Sequence, residues 1–193
     1  NFILNIDYLN YVSAKNYKFH KFNNHSRYHF SKLDLSNKKK LIEVISKFQP
    51  NIIFHLAAES HVDKSIDDPY NFFLKNITSS LSLFEACKTY IDSYKINKNF
   101  KIIHLSTDEI YGSITGNKHS SEKSRFNPSS PYSSSKASVH LMAYSWYTTF
   151  GLPINIAIAS NNYGPYQHPE KLIPNVINRI IKGLPIQLKK KKK

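Results

Sequence analysis

Short apolar runs alternate along this chain with longer segments of helical pattern. Such alternation is typical of a parallel sheet with helices packed on both faces. The predicted strands are Asn1–Ile6, Arg27–Leu33, Asn51–Leu56, Ile102–Leu105 and Leu152–Ala159. The predicted helices are Lys38–Phe48 with Ser36 as its N-cap, Pro69–Tyr94, Pro131–Phe150 with Gly151 as its end, and Leu172–Ile181. We therefore predict an α/β fold, a doubly wound parallel sheet of Rossmann-like topology, with its site at the carboxyl ends of the strands.

The amino-acid composition indicates a globular domain. The 193 residues are enough for one domain with a sizeable core, and 40% of them are hydrophobic. The single cysteine, Cys87, excludes an intrachain disulfide and fits a reducing compartment, so we predict a cytoplasmic protein. The nine histidines show no metal-ligand spacing. No apolar run approaches the roughly 18 residues of a membrane span, so we expect neither a metal nor a membrane partner.

The formal net charge of +14 indicates anionic partners. Five of these charges belong to the run Lys189–Lys193, which we expect to be a disordered lysine tail. A basic surface attracts nucleic acid, but it equally attracts a dinucleotide or a sugar nucleotide, which are both anionic. Because the sequence has no recognised nucleic-acid motif, we predict no nucleic-acid partner.

Tyr132 and Lys136 stand four residues apart near the start of a predicted helix. Residues at this spacing share one helix face, so the ammonium can lie near the phenol. A nearby cation favours the phenolate and lowers the pKa of a tyrosine. The pair therefore predicts a base for an alcohol proton. The alternative for so short a pattern is a surface pair without a chemical role.

Asp108 and Glu109 follow the predicted strand Ile102–Leu105 in a polar turn. Two carboxyl groups in different environments can have separated pKa values, so that one acts as an acid and the other as a base. The alternative is a solvated acidic turn. The two pairs together, at the carboxyl end of one strand and the start of one helix, favour an active site.

Four motifs occur in a fixed order along the chain. They are LAAESHVDKSI (Leu56–Ile66), STDEIYG (Ser106–Gly112), SPYSSSKA (Ser130–Ala137) and SNNYGPYQHPEKLIP (Ser160–Pro174). With these motifs the chain resembles the extended short-chain dehydrogenase/reductase family and, within it, the dTDP-glucose 4,6-dehydratases. The resemblance runs from about Asp7 to about Leu188.

The resemblance implies a lyase that converts dTDP-glucose to dTDP-4-keto-6-deoxyglucose and water. Tyr132, assisted by Lys136, would remove the C4 hydroxyl proton while NAD accepts the C4 hydride. Glu109 would remove the C5 proton, Asp108 would protonate the C6 hydroxyl so that it leaves as water, and the hydride would return to C6. Thr107 would hold the sugar oxygen at C4. The same resemblance associates the chain with dTDP-rhamnose biosynthesis.

The resemblance also implies binding residues. The cofactor NAD would be bound by Asp7, Asp34, Leu35, Leu56, Ala57, Ala58, Tyr132, Lys136 and Asn162. The substrate would be bound by Ser60, Thr107, Asn161, Glu170 and Lys171. For Asp7 the residues alone leave a helix cap as the alternative, although an acidic residue after the second strand of a Rossmann unit also hydrogen-bonds the ribose of NAD. Lys75 stands where the family commonly has a threonine that touches NAD, so that contact is not transferred.

The glycine-rich phosphate loop of the family, G-x-x-G-x-x-G after the first strand, is absent from the sequence. We therefore expect a fragment that begins at the second strand, is poorly stable and binds NAD weakly. The expected parts are a truncated NAD-binding Rossmann-like domain at 1–163, the start of a substrate-binding region at 164–188 and the lysine tail at 189–193. The family pairs its 69–94 and 131–150 helices across a dimer, so we predict a homodimer.

Several alternatives stay open. A UDP-glucose 4,6-dehydratase shares the same active-site motifs. A UDP-sugar epimerase or decarboxylase is less favoured because its chemistry does not need the pair Asp108 and Glu109. An inactive truncated remnant would keep the same residues without the reaction. A nucleic-acid-binding protein is the last alternative, and a strongly salt-dependent DNA affinity would be its mark.

Overall fold

The computed structural model of the chain describes residues 1–10, 13–14, 24–94, 99–117 and 119–186. The strands are β1 (Ile3–Asp7), β2 (Tyr28–Lys32), β3 (Ile52–His55), β4 (Lys101–Thr107) and β5 (Ile154–Ala159). The helices are α1 (Lys38–Phe48), α2 (Val62–Asp67), α3 (Pro69–Tyr94), α4 (Pro131–Phe150) and α5 (Leu172–Ile181), with a short 3-10 helix at Asp108–Tyr111.

All strand pairs are parallel, and they form two sheets. One sheet contains β1 and β2, and the other has the order β3-β4-β5. In a doubly wound sheet of order 3-2-1-4-5-6, the first strand lies between such a pair and such a triplet. Among the described residues, no strand pairs with both β1 and β3, and the apolar side chains of Phe2, Ile52 and Phe54 are exposed. The prediction of an α/β fold with a Rossmann-like parallel sheet is confirmed.

The core of the chain lies between the β3-β4-β5 sheet and helices α1, α3 and α4. Helix α3 packs against both α1 and α4, which brings apolar side chains from four elements together. The fully buried members are Leu41, Phe84, Cys87, Ile102, Val139, Ala143 and Leu152. Burial of each large apolar side chain contributes roughly 1.5–3 kcal/mol. This core fixes the face of α4 that points to strand β4.

Helices α1, α3, α4 and α5 begin and end at the predicted residues. Helix α4 starts cleanly because Ser130 and Ser133 form a reciprocal capping box and Pro131 occupies the first turn. It ends at Gly151, whose φ of 66° is the left-handed conformation that favours glycine. Local sequence signals therefore position helix α4 along the chain.

Two local predictions were wrong. The N-cap of α1 is Asn37, whose side chain accepts from the Lys40 amide, whereas Ser36 donates its hydroxyl to Asp34. Strand β4 continues two residues beyond Leu105, because Ser106 and Thr107 pair with strand β5. The polar turn predicted to start at Ser106 therefore starts at Asp108.

The described residues divide into two compact units. The first contains residues 1–8 and 24–160, with every strand named above and helices α1 to α4. The second contains the described residues of 9–23 and 161–193, including α5. The predicted boundary at residue 163 stays a prediction, and the lysine tail at 189–193 lies outside the described residues. Within the described ranges, no helix is long and apolar enough to cross a membrane.

Candidate active site

The end of strand β4 leads directly into a turn that carries two carboxylates. The buried Thr107 hydroxyl accepts from the Glu109 amide at 3.3 Å and lies 3.4 Å from Asp108 Oδ1, to which it donates. The bond from the Glu109 amide caps the 3-10 helix Asp108–Tyr111. Asp108 is exposed and Glu109 is half-buried. The neighbouring carboxylates therefore stand in different surroundings, as acid–base chemistry requires.

Tyr132 lies in the first turn of α4, beside the carboxylate turn. The Thr107 side chain is near enough to the Tyr132 phenol to act on its pKa, and the ring of Phe72 stands edge-on to the Tyr132 ring at a centroid distance of 6.2 Å. Burial raises the pKa of Tyr132, the carboxylates of Glu109 and Asp108 raise it further, and the Thr107 side chain lowers it only in part. The predicted lowering of the Tyr132 pKa is therefore wrong for this structure.

The side chain of Lys136 explains this difference. Its ammonium donates to the main-chain oxygen of Leu105 at 2.6 Å, so it is held on strand β4. Its charge is not among the causes that shift the pKa of Tyr132. Burial lowers the pKa of Lys136 itself to about 8. The two residues share one helix face as predicted, but the Lys136 ammonium bonds to strand β4 and not to the Tyr132 phenol.

A layer of neutral histidines lies on strands β3 and β4. His55 and His104 are paired in register, and their ring centroids are 5.0 Å apart. His55 Nε2 lies 2.9 Å from the hydroxyl of Ser80, whereas both ring nitrogens of His104 have no hydrogen-bond partner among the described residues. Burial lowers the pKa of His55 to about 3 and that of His104 to about 2, and the charge of Lys136 acts in the same direction on both. Lys136 is therefore the charged member of this buried cluster.

Asn76 connects the loop after β3 with helix α4. Its side chain accepts from the Glu59 amide at 2.8 Å and donates to the Glu59 carbonyl at 3.2 Å and to the Ser135 hydroxyl at 3.0 Å. Both Asn76 and Ser135 are buried. On the other side of the helix start, the Ser65 hydroxyl accepts from the Tyr132 amide at 3.3 Å. The motif that contains Glu59 and Ser65 therefore helps to place Tyr132.

The other predicted cofactor residues of the first unit follow the carboxyl ends of parallel strands. Asp7 ends β1. Asp34 follows β2 by two residues, and its carboxylate accepts from the amide and the hydroxyl of Ser36 at 2.9 and 2.8 Å. Leu35 packs against the core. The predicted residues that follow β3 are all exposed, namely Leu56, Ala57, Ala58 and the substrate candidate Ser60. Their binding roles stay predictions.

Lys75 forms an ion pair close to this edge. Its ammonium lies 3.8 Å from Glu59 Oε1 and 6.0 Å from the centroid of the Tyr8 ring. The Tyr8 hydroxyl in turn lies 3.4 Å from Glu59 Oε1. Lys75 therefore has a structural contact with Glu59. This contact is consistent with not assigning to Lys75 the NAD contact of the family's threonine.

The remaining predicted residues belong to the second compact unit. The carbonyl of Asn162 accepts from the Gln167 side chain at 2.9 Å. Glu170 Oε1 lies 3.7 Å from the ring nitrogen of His168, and Lys171 is the residue before α5. Asn161 precedes Asn162 in the same exposed segment. The roles of these four predicted residues in binding stay predictions.

Comparison with known proteins decides the family. A family model described as GDP-mannose 4,6 dehydratase matches residues 3–190. The chain belongs to the GDP-mannose 4,6 dehydratase family. Within this family it is 40% identical over 191 residues to the dTDP-glucose 4,6-dehydratase of Haemophilus influenzae, an alignment that covers 97% of this chain and 56% of the relative. It is 39% identical over 198 residues to dTDP-glucose 4,6-dehydratase 1 of Escherichia coli, which covers 95% of this chain and 54% of the relative.

Solved structures of the family and its neighbours have the same fold. A dTDP-glucose 4,6-dehydratase from Streptomyces venezuelae, solved with NAD bound, superposes with a TM-score of 0.83 at 33% identity, over 94% of this chain and 53% of that chain. A UDP-glucuronic acid 4-epimerase from Bacillus cereus, in complex with UDP-glucuronic acid and NAD, gives a TM-score of 0.82 at 27% identity, over 95% and 56%. The chain spans about half the length of the relatives it matches. The resemblance predicted from the four motifs is confirmed.

The sequence did not reveal several residues of this site. Ser65 and His104 show no pattern that separates them from ordinary polar residues, because the side chains that surround them lie on other elements. The LAAESHVDKSI motif gave a partial signal, since it contains both Glu59 and Ser65. Among the described residues, no group of three or more histidine, cysteine or acidic side chains could hold a metal ion.

Proposed function

We propose that this chain carries the catalytic residues of an NAD-dependent nucleotide-sugar 4,6-dehydratase that acts on dTDP-glucose. The observation that supports this most strongly is the carboxylate turn of Asp108 and Glu109 beside the phenol of Tyr132, whose pKa both carboxylates raise. A base for an alcohol proton and two carboxyl groups are the groups that oxidation at C4 and loss of water across C5 and C6 need. The named relatives of the chain support the thymidine nucleotide.

The residues at the carboxyl edge fit NAD in part. Asp7 ends a parallel strand, where a carboxylate can bind the adenosine ribose. The small, exposed Ala57 and Ala58 leave room for a planar ring beside β3. No glycine-rich loop is present in the sequence to bind the pyrophosphate. When bound, NAD supplies the acceptor for the C4 hydride and returns this hydride to C6.

Tyr132 and Lys136 act on the C4 hydroxyl in this proposal. The C4 hydroxyl proton moves to the Tyr132 oxygen while Thr107 holds the sugar oxygen at C4. An ammonium has three N–H donors, and Lys136 uses one of them on Leu105. In this proposal the other two donors turn to the Tyr132 oxygen when NAD and substrate are bound, since in the chain alone the Lys136 charge does not act on that phenol. The raised pKa of Tyr132 means that the phenol must first lose its own proton, and the phenolate is then a strong base.

Glu109 and Asp108 then divide the elimination between them. The C4 ketone acidifies the C5 proton, and the half-buried carboxylate of Glu109 removes it. Asp108 gives a proton to the C6 hydroxyl, which leaves as water. Glu109 would return its proton to C5, and with the hydride that bound NAD would give back to C6 the product would be a 4-keto-6-deoxy sugar. Two carboxyl groups are needed because one accepts a proton while the other donates one.

The test is conversion of dTDP-glucose by the full chain with NAD, followed by NMR of the sugar. We expect the unchanged chain to form the 4-keto-6-deoxy product and to prefer dTDP-glucose to UDP-glucose. Glu109→Gln should oxidise C4 without loss of water, whereas the exposed control Glu122→Gln should behave as the unchanged chain. Loss of water by Glu109→Gln at the unchanged rate would contradict the role of Glu109. No conversion by the unchanged chain would favour the inactive remnant.

We also propose a homodimer through α3 and α4. Large apolar side chains on both helices are exposed: Tyr70, Leu74 and Tyr94 on α3, and Leu141, Tyr144, Tyr147 and Phe150 on α4. Several exposed large apolar side chains on two packed helices favour an interface. Light scattering should find a dimer that Leu141→Glu dissociates, while Ile114→Glu, exposed outside these helices, should not. A monomer at all concentrations would contradict it. The cytoplasmic location and the link to dTDP-rhamnose stay predictions.

A further inference from the structure

His140 lies on the face of α4 that carries Tyr132 and Lys136. The three residues are four positions apart, so they stand one above the other along the helix. His140 Nδ1 lies 3.2 Å from the hydroxyl of the buried Ser106. Ser106 stands between Leu105, which accepts from Lys136, and Thr107, whose side chain acts on the Tyr132 phenol. Three turns of α4 therefore face the last three residues of β4.

The ring of His140 also supports the other end of the carboxylate turn. The ring of Phe126 stands edge-on to it at a centroid distance of 4.8 Å. The next residue, Asn127, donates its amide to the carbonyl of Ile110 at 2.8 Å, and Ile110 lies in the 3-10 helix that holds Asp108 and Glu109. The Asn127 carbonyl lies so close to Gly112 that a Cβ there would approach it to 2.2 Å. The segment that His140 packs against thus closes the turn.

We propose that His140 is a positioning residue that holds both ends of the Asp108–Glu109 turn against the catalytic helix. Its polar nitrogen fixes the entry of the turn through Ser106, and its ring fixes the exit through Phe126. The inference rests on the proposed function, because only there do Tyr132 and the two carboxylates act together. Nothing in the four sequence motifs assigns this role to His140.

An imidazole suits both contacts because it combines a polar atom at the δ position with an aromatic edge. The charged and titratable groups near it are Lys136 on the same helix and His104 on β4. Burial lowers the pKa of His140 and the charge of Lys136 lowers it further. The ring is therefore neutral near pH 7, and it can bond Ser106 without placing a second cation beside Lys136.

Two substitutions separate the two contacts in the full chain. His140→Asn keeps a polar atom at the δ position but removes the ring, and His140→Phe keeps a ring but removes the polar atom. Tyr144→Phe, one turn further along α4 and exposed, is the matched control. The readouts are the pKa of Tyr132, followed by NMR of ring-labelled tyrosine and assigned with Tyr132→Phe, and the amide hydrogen exchange of Asn127.

We expect each substitution to move one readout. His140→Phe should raise the pKa of Tyr132 by roughly one unit, because the Thr107 side chain that lowers this pKa is then held less firmly. It should leave the exchange of Asn127 unchanged. His140→Asn should keep the pKa of Tyr132 and speed the exchange of Asn127 by about tenfold. Ser106→Ala, which removes the same bond from the strand side, should reproduce the pKa change even where His140→Phe disturbs the core.

Some results would overturn the inference. If Ser106→Ala and His140→Asn leave both readouts at the values of Tyr144→Phe, His140 does not position the turn. The same conclusion holds if both move the two readouts equally, since that is a general loss of packing. Neither readout needs NAD or substrate. A chain that fails to convert dTDP-glucose would therefore refute the proposed function without deciding the role of His140.

Discussion

The ammonium of Lys136 donates to the main-chain oxygen of Leu105 at 2.6 Å. This bond joins the catalytic helix to the strand whose end carries the two carboxylates. It also takes a charged group out of water, and burial lowers the pKa of Lys136 to about 8. The contact that positions the lysine therefore has a measurable effect on stability.

The buried lysine makes stability depend on pH. Burial lowers the pKa of Lys136 from 10.5 to about 8, so between these pH values the unfolded chain binds more protons than the folded chain. The buried charge destabilises the folded chain fully below about pH 8. This destabilisation decreases as the pH rises toward the ordinary pKa of lysine. We expect the free energy of unfolding to rise by about 2–3 kcal/mol from pH 7 to pH 10 relative to Lys136→Met.

Urea unfolding of both proteins at several pH values measures this difference. The comparison with Lys136→Met removes the titration of tyrosines, which both proteins share. Lys101→Met, an exposed lysine at the start of β4, is the control and should follow the unchanged chain. Parallel curves for the unchanged chain and Lys136→Met would show that Lys136 is not buried as a cation.

His104 should make the chain sensitive to acid. Burial lowers its pKa from 6.5 to about 2, and both ring nitrogens have no hydrogen-bond partner among the described residues. Below pH 6.5 the unfolded chain binds a proton that the folded chain refuses, so stability falls as the pH falls toward 2. Between pH 7 and pH 4, the free energy of unfolding of His104→Phe should fall by about 3 kcal/mol less than that of the unchanged chain. Chemical unfolding at both pH values checks this, and His119→Phe, an exposed histidine, should not change the loss.

Gly112 should not tolerate a side chain. Its φ is 75°, and a Cβ would approach the carbonyl of Asn127 to 2.2 Å. Gly116 has a similar φ of 66° but nothing within 4 Å of its Cβ position. Gly116→Ala should therefore lower the free energy of unfolding by about 1 kcal/mol, because alanine is strained in the left-handed conformation. Gly112→Ala should lower it by at least about 2 kcal/mol more, because the loop that contains Asn127 must shift. Equal losses in urea unfolding would contradict the close approach.

Asn76 should be more important than its place in a long helix indicates. It is 2% exposed and bonds both main-chain groups of Glu59 and the hydroxyl of Ser135. Asn76→Leu leaves these buried groups without partners, so the free energy of unfolding should fall by about 2–4 kcal/mol. Asn71→Leu, on an exposed turn of the same helix, should lose less than about 1 kcal/mol. Similar losses in thermal or urea unfolding would show that the bridge is not formed.

The sequence determined helices α1, α3, α4 and α5 because their signals are local, whereas the short helix α2 was not predicted. Apolar periodicity predicted α1 and α3, and Gly151 predicted the end of α4. The four motifs predicted the family, since residue types at fixed spacing are directly visible in a sequence. Short strands were predicted less accurately, and β4 was cut two residues short. The reason is that Ser106 and Thr107 are polar, and only their pairing with β5 makes them part of a strand.

The tertiary structure alone decided the electrostatics of the site. The sequence placed Tyr132 and Lys136 on one helix face, but the partner of Lys136 is Leu105, which lies 31 residues away in the chain. The pKa of Tyr132 is raised because packing buries the phenol and places it near the charge of Glu109. The spacing of YxxxK predicts neither the burial nor this neighbour. The sequence by itself determined which chemical groups the site has and which helices carry them. Only the tertiary structure decided which of these groups touch, because those contacts form between elements that are distant in the chain.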